Sequence, residues 1–126
     1  MRILLARHGE TPWNAEGRYQ GQEDIPLSEV GIGQARALGA RLREVPITRA
    51  VASPLGRARQ TAEFALGDRD MPLTLDPGLM EIAHGTWEGL LATEIRERDP
   101  ERLQAWRDTP HEVLMPEGET LQHVFD

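Results

Sequence analysis

The chain has 126 residues, which is close to the size of one globular domain, so we expect a single domain over residues 1–126. The formal net charge of -7 at pH 7 disfavours contact with nucleic-acid phosphates, and we expect no nucleic-acid partner. Cysteine is absent, which excludes disulfides, thiolate metal sites and a cysteine nucleophile. No apolar run is long enough to span a bilayer or to act as a secretory signal, so we expect a cytoplasmic protein without a membrane partner.

Every basic residue in the chain is an arginine, because lysine is absent. This absence excludes a P-loop lysine and Schiff-base catalysis. Guanidinium groups remain, and their forked donors suit bidentate recognition of a phosphate. Codon bias or a heat-adapted source is the alternative explanation, and we prefer it for most of the arginines; the net charge, in turn, favours a small substrate over a polyanionic polymer.

The first third of the chain combines short apolar runs with polar turns. Residues 2–6 are mostly apolar and are followed by the polar residues 7–9, a pattern that predicts a buried first strand ending in a turn. Residues 11–19 contain Pro, Asn and Gly and predict a short helical turn and loop, with a further turn at residues 21–24. Ser28 is a predicted N-cap for a helix that extends to residues 45–46.

A strand followed directly by a helix is predicted in the middle of the chain. Residues 50–53 form the second strand candidate. Ser53 and Pro54 are suited to be the N-cap and the first-turn proline of a helix that ends near Leu66.

The remaining residues continue this alternation. Residues 73–76 form a third strand candidate, and residues 90–108 are predicted to be helical with a break near Pro100. Residues 116–118 predict a loop, with a final helix starting at Glu119. Alternating strands and helices indicate an α/β fold with parallel strand pairing.

Two polar turns fall at the carboxyl ends of predicted strands, where ligands bind in α/β sheets. These turns are Arg7-His8-Gly9 and Ser53-Pro54. Arg7 could clamp a phosphate oxygen, Gly9 would allow close approach of the backbone, and a neutral His8 could attack phosphorus. An Arg-His-Gly tripeptide alone has little specificity, since a single histidine at a strand end is usually structural.

Other polar groups favour structural interpretations. Asp68-Arg69-Asp70 follows a predicted helix end and indicates a turn. His84, His111 and His123 lack the spacing of metal ligands, so we expect neither a metal site nor any other cofactor.

The Arg-His-Gly tripeptide is the first part of a set of five motifs that follow one another along the chain. They are Leu5-Ala6-Arg7-His8-Gly9-Glu10-Thr11-Pro12-Trp13-Asn14, Gly17-Arg18-Tyr19-Gln20-Gly21, Leu27-Ser28-Glu29-Val30-Gly31-Ile32-Gly33-Gln34-Ala35, Ser53-Pro54-Leu55-Gly56-Arg57-Ala58-Arg59-Gln60-Thr61-Ala62 and Leu79-Met80-Glu81-Ile82-Ala83-His84-Gly85-Thr86-Trp87-Glu88-Gly89. Together they resemble the histidine phosphatase superfamily, which is also called the phosphoglycerate mutase-like family. The resemblance implies a three-layer α/β sandwich with a mostly parallel central sheet and helices on both faces.

The resemblance also implies roles for individual residues. His8 would be phosphorylated, Arg7 and Arg57 would hold the phosphoryl oxygens, and Glu81 would shuttle the proton of the substrate oxygen. A role as proton donor requires a carboxyl group that is partly desolvated or close to another acid. By the same resemblance, the remaining predicted pocket residues would contact the substrate: Gly9, Thr11, Asn14, Gln20 and Gly21.

Among the activities of the superfamily, the sequence favours hydrolysis. Mutases typically carry a longer insertion after the glutamate motif, whereas only a compact stretch separates Gly89 from Pro116 here. This compact stretch resembles the phosphatase branch, which includes the α-ribazole phosphatases. We therefore expect a phosphomonoesterase that acts on a small phosphorylated metabolite. A mutase and a non-catalytic phosphate-ester binding module remain alternatives, and the oligomeric state stays open, with a homodimer allowed.

One part of the family pattern is missing. The resemblance implies a second catalytic histidine in a His-Gly motif beyond Pro116-Glu117-Gly118-Glu119, and the sequence stops at Asp126 before such a motif. We expect a C-terminally truncated piece of a longer protein rather than a shortened member with impaired chemistry. The isolated chain is then expected to be poorly active and marginally stable.

Overall fold

A computed structural model describes residues 1–126 and divides them into two compact units. The first unit comprises Met1–Pro12 and Asp24–Leu79, and the second comprises Trp13–Glu23 and Met80–Asp126. The expectation of one domain stays a prediction. The helices and strands are α1 (Pro12–Glu16), α2 (Glu29–Leu42), β1 (Ala50–Ala52), α3 (Gly56–Leu66), β2 (Leu73–Leu75), α4 (Ala92–Arg98), α5 (Pro100–Asp108) and α6 (Leu121–Phe125).

The first unit contains a two-stranded parallel sheet. Strands β1 and β2 pair in parallel, with Ala50 opposite Leu73 and Ala52 opposite Leu75, and α3 connects them. This arrangement confirms the predicted parallel pairing and the strand-to-helix alternation around it. The larger three-layer sandwich stays a prediction.

Residues 2–6 do not form the predicted buried strand. They have no strand geometry and make no backbone hydrogen bonds to β1 or β2, and Leu5 is 94% exposed. The prediction was wrong because an apolar run becomes a strand only when a neighbouring strand satisfies its backbone groups. The predicted turn at residues 7–9 is not formed either, and the chain becomes buried at Gly9.

Helix α2 begins where the sequence predicted. The side chain of Ser28 accepts a hydrogen bond from the Gly31 N–H at 3.1 Å, which confirms it as the N-cap. The helix ends at Leu42, before the predicted residues 45–46. Its last turn is capped from outside, because the guanidinium of Arg69 donates to the Leu42 carbonyl.

Helix α3 begins two residues later than predicted. Ser53 accepts a hydrogen bond from the Leu55 N–H, so its hydroxyl stabilises the turn before the helix and does not cap the helix itself. The cap comes from a distant residue, since Asp24 Oδ1 accepts from the Gly56 N–H at 2.6 Å. Local sequence could not reveal this contact because Asp24 lies 32 positions earlier in the chain.

The second unit is organised around a continuous apolar cluster. Its buried members are Ile82, Trp87, Ile95, Leu103, Val113 and Met115. The predicted helical break is confirmed, because α4 ends at Arg98 and α5 begins at Pro100. The last helix, α6, starts at Leu121 with Thr120 as its N-cap, slightly later than the predicted Glu119. No helix of the structure combines the length and the apolar content required to cross a lipid bilayer.

Candidate active site

The loop that carries His8 is held by polar side chains from two helices of the first unit. The Glu10 N–H donates to Gln34 Oε1 of α2 at 2.8 Å, and the Gly9 N–H donates to Thr61 Oγ1 of α3 at 3.0 Å. The Glu10 carbonyl accepts from the Ser28 N–H at 2.9 Å. Hydrogen bonds therefore fix the His8–Gly9 peptide and the Glu10 backbone that follows it.

Close backbone packing accompanies these hydrogen bonds. A Cβ atom at Gly9 would lie 2.5 Å from the Gly31 carbonyl oxygen, and a Cβ at Gly31 would lie 2.0 Å from the Glu10 carbonyl oxygen. Both glycines are thus required for the loop to touch the first turn of α2. The predicted role of Gly9 in binding a ligand stays a prediction, and the structure supplies a packing reason for this residue.

The imidazole of His8 has a defined orientation. Its Nδ1 lies 2.7 Å from the Gly9 carbonyl oxygen, and the side chain is half-buried. A carbonyl oxygen can only accept, so this contact places the proton on Nδ1 and the lone pair of the neutral ring on Nε2. A neutral imidazole with its lone pair on Nε2 is the form required for nucleophilic attack.

His8 lines a cavity of about 310 Å³. The walls are formed by Leu5, Ala6, Arg7, His8, Gly9, Gln34, Ala35, Leu38 and Thr61. Every one of these residues belongs to the first unit. The cavity therefore brings together the guanidinium-bearing residue Arg7, the imidazole-bearing residue His8 and the Thr61 anchor. Arg57 is not part of this lining.

Arg57 lies in the first turn of α3 and is only 2% exposed. Arg59, two positions later, is exposed, which confirms that the two side chains point to different faces of the helix. The carbonyl of Arg57 accepts a hydrogen bond from the Thr61 hydroxyl at 2.7 Å. Thr11 is fully buried at 0% exposure. The phosphate-binding role of Arg57 and the substrate contact of Thr11 both stay predictions.

The predicted Gln20-Gly21 turn is present in the second unit. The Glu23 N–H donates to the Gln20 carbonyl at 3.2 Å, and Gly21 has a φ of 57°, which favours glycine. The carboxylate of Glu88 accepts hydrogen bonds from the backbone N–H groups of Gln22 and Glu23. Sequence reasoning missed this role of Glu88, although its place in the Trp87-Glu88-Gly89 motif was a usable signal.

Glu81 lies on an exposed part of the second unit. Its Oε1 accepts from the Ile82 N–H at 3.0 Å, and its carbonyl accepts from Gln22 Nε2 at 3.1 Å. We expected a carboxyl group that is partly desolvated or close to another acid; Glu81 is exposed, so the first condition is not met, and its role in proton transfer stays a prediction. Glu119 stabilises the same loop, since its Oε2 accepts from Gln22 Nε2 and from the Ala83 N–H.

His84 is a packing residue, as the sequence predicted. It is 7% exposed, and its ring meets Tyr19 and Trp106 edge-on at centroid distances of 5.2 and 5.6 Å. Its Nδ1 is buried without a hydrogen-bond partner. Burial lowers the pKa of His84 below its usual value, and the nearby charge of Glu81 opposes this effect.

The predicted site residues are divided between the two units. Arg7, His8, Gly9, Thr11 and Arg57 belong to the first unit. Asn14, Gln20, Gly21 and Glu81 belong to the second unit, where Asn14 is half-buried in α1. No group of three His, Asp or Glu side chains is arranged to hold a metal ion.

Comparison with known proteins gives a match over almost the whole chain. A model of the histidine phosphatase superfamily (branch 1) matches residues 3–126. The adenosylcobalamin/alpha-ribazole phosphatase of Salmonella typhimurium is 40% identical over 122 residues, covering 97% of this chain and 60% of that protein. The probable phosphoglycerate mutase GpmB of Cronobacter sakazakii is 40% identical over 127 residues, covering 100% of this chain and 59% of that protein.

The fold is also similar to solved structures. The structure of Bacillus stearothermophilus YhfR superposes with a TM-score of 0.88 at 42% identity, over 94% of this chain and 58% of that one. The chain spans about 60% of the length of the curated relatives it matches.

Proposed function

Because the chain belongs to the histidine phosphatase superfamily (branch 1), we propose that it is a phosphomonoesterase that acts through a phosphohistidine on His8. The observation that carries this proposal is the 2.7 Å contact between His8 Nδ1 and the Gly9 carbonyl. It holds the ring so that Nε2 carries the lone pair, on a residue that lines an open cavity.

The proposed reaction has two steps. In the first, a bond forms between His8 Nε2 and phosphorus while the bond from phosphorus to the ester oxygen breaks, and the leaving oxygen takes up a proton. In the second, water attacks the phosphohistidine, the nitrogen–phosphorus bond breaks, and inorganic phosphate leaves. Phosphoryl transfer requires mainly positioning and charge stabilisation, and a rigidly held imidazole supplies the first of these.

Charge stabilisation is assigned to two arginines. Arg7 is exposed beside His8 on the wall of the same cavity, so its guanidinium is available to an incoming phosphate. Arg57 is buried in the first turn of the 11-residue helix α3, where the helix dipole adds positive potential. This place in the first turn of a helix is suited to an arginine that takes part in binding an anion.

Glu81 is proposed to donate the proton to the leaving oxygen and to accept one from the attacking water. Its side chain is exposed, and the Gln22 and Glu119 side chains stabilise the backbone of its loop. Asn14 and the Gln20-Gly21 turn are proposed to contact the substrate. These roles rest on the family resemblance of the motifs that carry them.

The substrate class is a small phosphorylated metabolite. The net charge of -7 disfavours a large polyanion. The relatives named above include both an alpha-ribazole phosphatase and a probable phosphoglycerate mutase at the same identity, so similarity alone does not select the alcohol portion. The mutase-type relative makes phosphoryl transfer between hydroxyls of one substrate the second candidate function.

The proposal is tested by mixing the full chain with an aryl phosphate and, separately, with 3-phosphoglycerate. We expect slow release of inorganic phosphate from the aryl ester, in keeping with the poor activity expected of the isolated chain, and loss of this release in His8→Gln. His111→Gln is the matched control, since His111 is an exposed histidine of the second unit, and it should leave the rate unchanged.

Three results would contradict the proposal. Interconversion of phosphoglycerates faster than ester hydrolysis would identify a mutase. Binding of the ester without phosphate release or covalent phosphate would identify a binding module. Full activity in His8→Gln would exclude His8 as the nucleophile.

A further inference from the structure

A continuous series of hydrogen bonds connects α3 to the imidazole of His8. The Thr61 hydroxyl donates to the Arg57 carbonyl at 2.7 Å and accepts from the Gly9 N–H at 3.0 Å. The Gly9 carbonyl in turn accepts from His8 Nδ1 at 2.7 Å. Thr61 is thus bonded to the backbone of Arg57 and, through Gly9, is connected to the imidazole of His8.

The chemistry of the threonine hydroxyl explains why this position is specific. A hydroxyl has one proton to donate and two lone pairs to accept with, so it can bridge a carbonyl and an N–H at the same time. A helix-internal threonine commonly uses its proton on the carbonyl four residues earlier, as Thr61 does with Arg57. Its oxygen is still free to accept, and it accepts the Gly9 N–H.

Burial strengthens this bridge. Thr61 is 5% exposed and Arg57 is 2% exposed, while Gly9 is buried. Removal of the hydroxyl would take away the acceptor that the buried Gly9 N–H has in this structure. We expect the His8–Gly9 peptide to move away from α3 and to tilt the following peptide, which carries the Gly9 carbonyl and remains bound to Gln34 through the Glu10 N–H.

We propose that Thr61 is a positioning residue for His8: its hydroxyl holds Gly9 so that the Gly9 carbonyl fixes both the tautomer and the direction of the imidazole. The inference rests on the proposed function, in which Nε2 of that imidazole attacks phosphorus. Thr61 itself touches no reacting atom. Thr61 affects the reaction only through Gly9. Its second hydrogen bond, to the Arg57 carbonyl, fixes the hydroxyl on α3.

The test compares Thr61→Val, which keeps the shape and removes the hydroxyl, with Thr61→Ser, which keeps the hydroxyl. We expect Thr61→Val to form phosphohistidine about 10- to 100-fold more slowly with little change in KM, since small misplacements of reacting groups have effects of this size. Thr61→Ser should restore most of the rate. Thr74→Val removes an exposed hydroxyl from β2 and should match the unmodified protein.

A spectroscopic measurement separates positioning from general stability. The nitrogen chemical shifts of the His8 ring report its tautomer, and we expect the Nδ1-protonated form in the unmodified protein and a mixture in Thr61→Val. This readout does not need turnover, so it also distinguishes failure of the inference from failure of the proposed function. The proposed function fails if the unmodified protein never acquires covalent phosphate.

Several outcomes would overturn the inference. A folded Thr61→Val with the rate and tautomer of the unmodified protein would do so, and so would a Thr61→Ser variant as impaired as Thr61→Val. If Thr61→Val does not fold, the inference is tested on the unmodified protein by nuclear magnetic resonance. Its Thr61 hydroxyl proton must exchange slowly and show a cross-peak to the Gly9 amide proton, and the absence of both signals would contradict the proposed bridge.

Discussion

The two units hold their site residues by different physical means. In the first unit, polar side chains of α2 and α3 hold the His8 loop, and several apolar residues before it are exposed. In the second unit, a buried cluster around Trp87 lies beneath loops whose N–H groups are bound by Glu88 and Glu119. The first arrangement depends on individual hydrogen bonds, whereas the second depends on a shared core.

Truncating one leucine in each unit is the strongest test of this difference between individual hydrogen bonds in the first unit and a shared core in the second. Leu103 is 2% exposed in the core of the second unit, and Leu103→Ala should lower the free energy of unfolding by about 2–5 kcal/mol. Leu5 is 94% exposed in the first unit, and Leu5→Ala should change it by no more than about 0.5 kcal/mol. Urea unfolding measures both, and similar losses in the two variants would show that the segment before His8 is packed in solution.

Replacing two glycines of α2 should change the free energy of unfolding by less than the leucine truncation does, and in opposite directions. Gly31→Ala places a Cβ 2.0 Å from the Glu10 carbonyl oxygen, and displacing that backbone should destabilise the fold by about 1–3 kcal/mol. Gly33→Ala meets nothing within 4 Å and should stabilise the same helix by about 0.5–1 kcal/mol. The unfolding temperatures of the two variants test this prediction. Equal shifts would mean that the Glu10 backbone does not contact α2 at Gly31.

The buried histidine of the second unit predicts a weaker dependence on pH. Because burial lowers the pKa of His84 in the folded state below its usual value of 6.5, the unfolded chain binds the proton more readily. Its contribution to stability is therefore complete above about pH 6.5 and is lost as the pH falls through the lowered pKa.

Denaturant unfolding at pH 7 and at lower pH checks this sign. His84→Phe keeps an aromatic ring between Tyr19 and Trp106 and should remove this part of the pH dependence. His111→Gln, which alters an exposed histidine, should retain it. An unchanged pH dependence in His84→Phe would mean that other groups are responsible.

The sequence predicted local features well and tertiary contacts poorly. Ser28 as a cap, the break at Pro100 and the outward direction of Arg59 all depend on near neighbours, and the structure confirms them. The strand at residues 2–6 was wrong because strand formation needs a partner that periodicity cannot supply.

The same limit applies to the site. The motifs selected His8 and the residues around it, but no pattern predicted that Thr61 would bind the Gly9 amide from 52 positions away. Asp24 as the cap of α3 was missed for the same reason, since its partner lies 32 positions later. Contacts between side chains and distant backbone groups become visible only in three dimensions.

The central claim is that Nε2 of His8 receives the phosphoryl group. In its most direct test, the protein reacts with an aryl phosphate and the reaction is quenched with alkali. The protein is then digested, and the covalent phosphate is located by mass spectrometry. We predict acid-labile phosphate on the peptide that contains His8 and none on it in His8→Gln. Ester hydrolysis with no phosphate on His8, or with phosphate on another residue, would contradict the account.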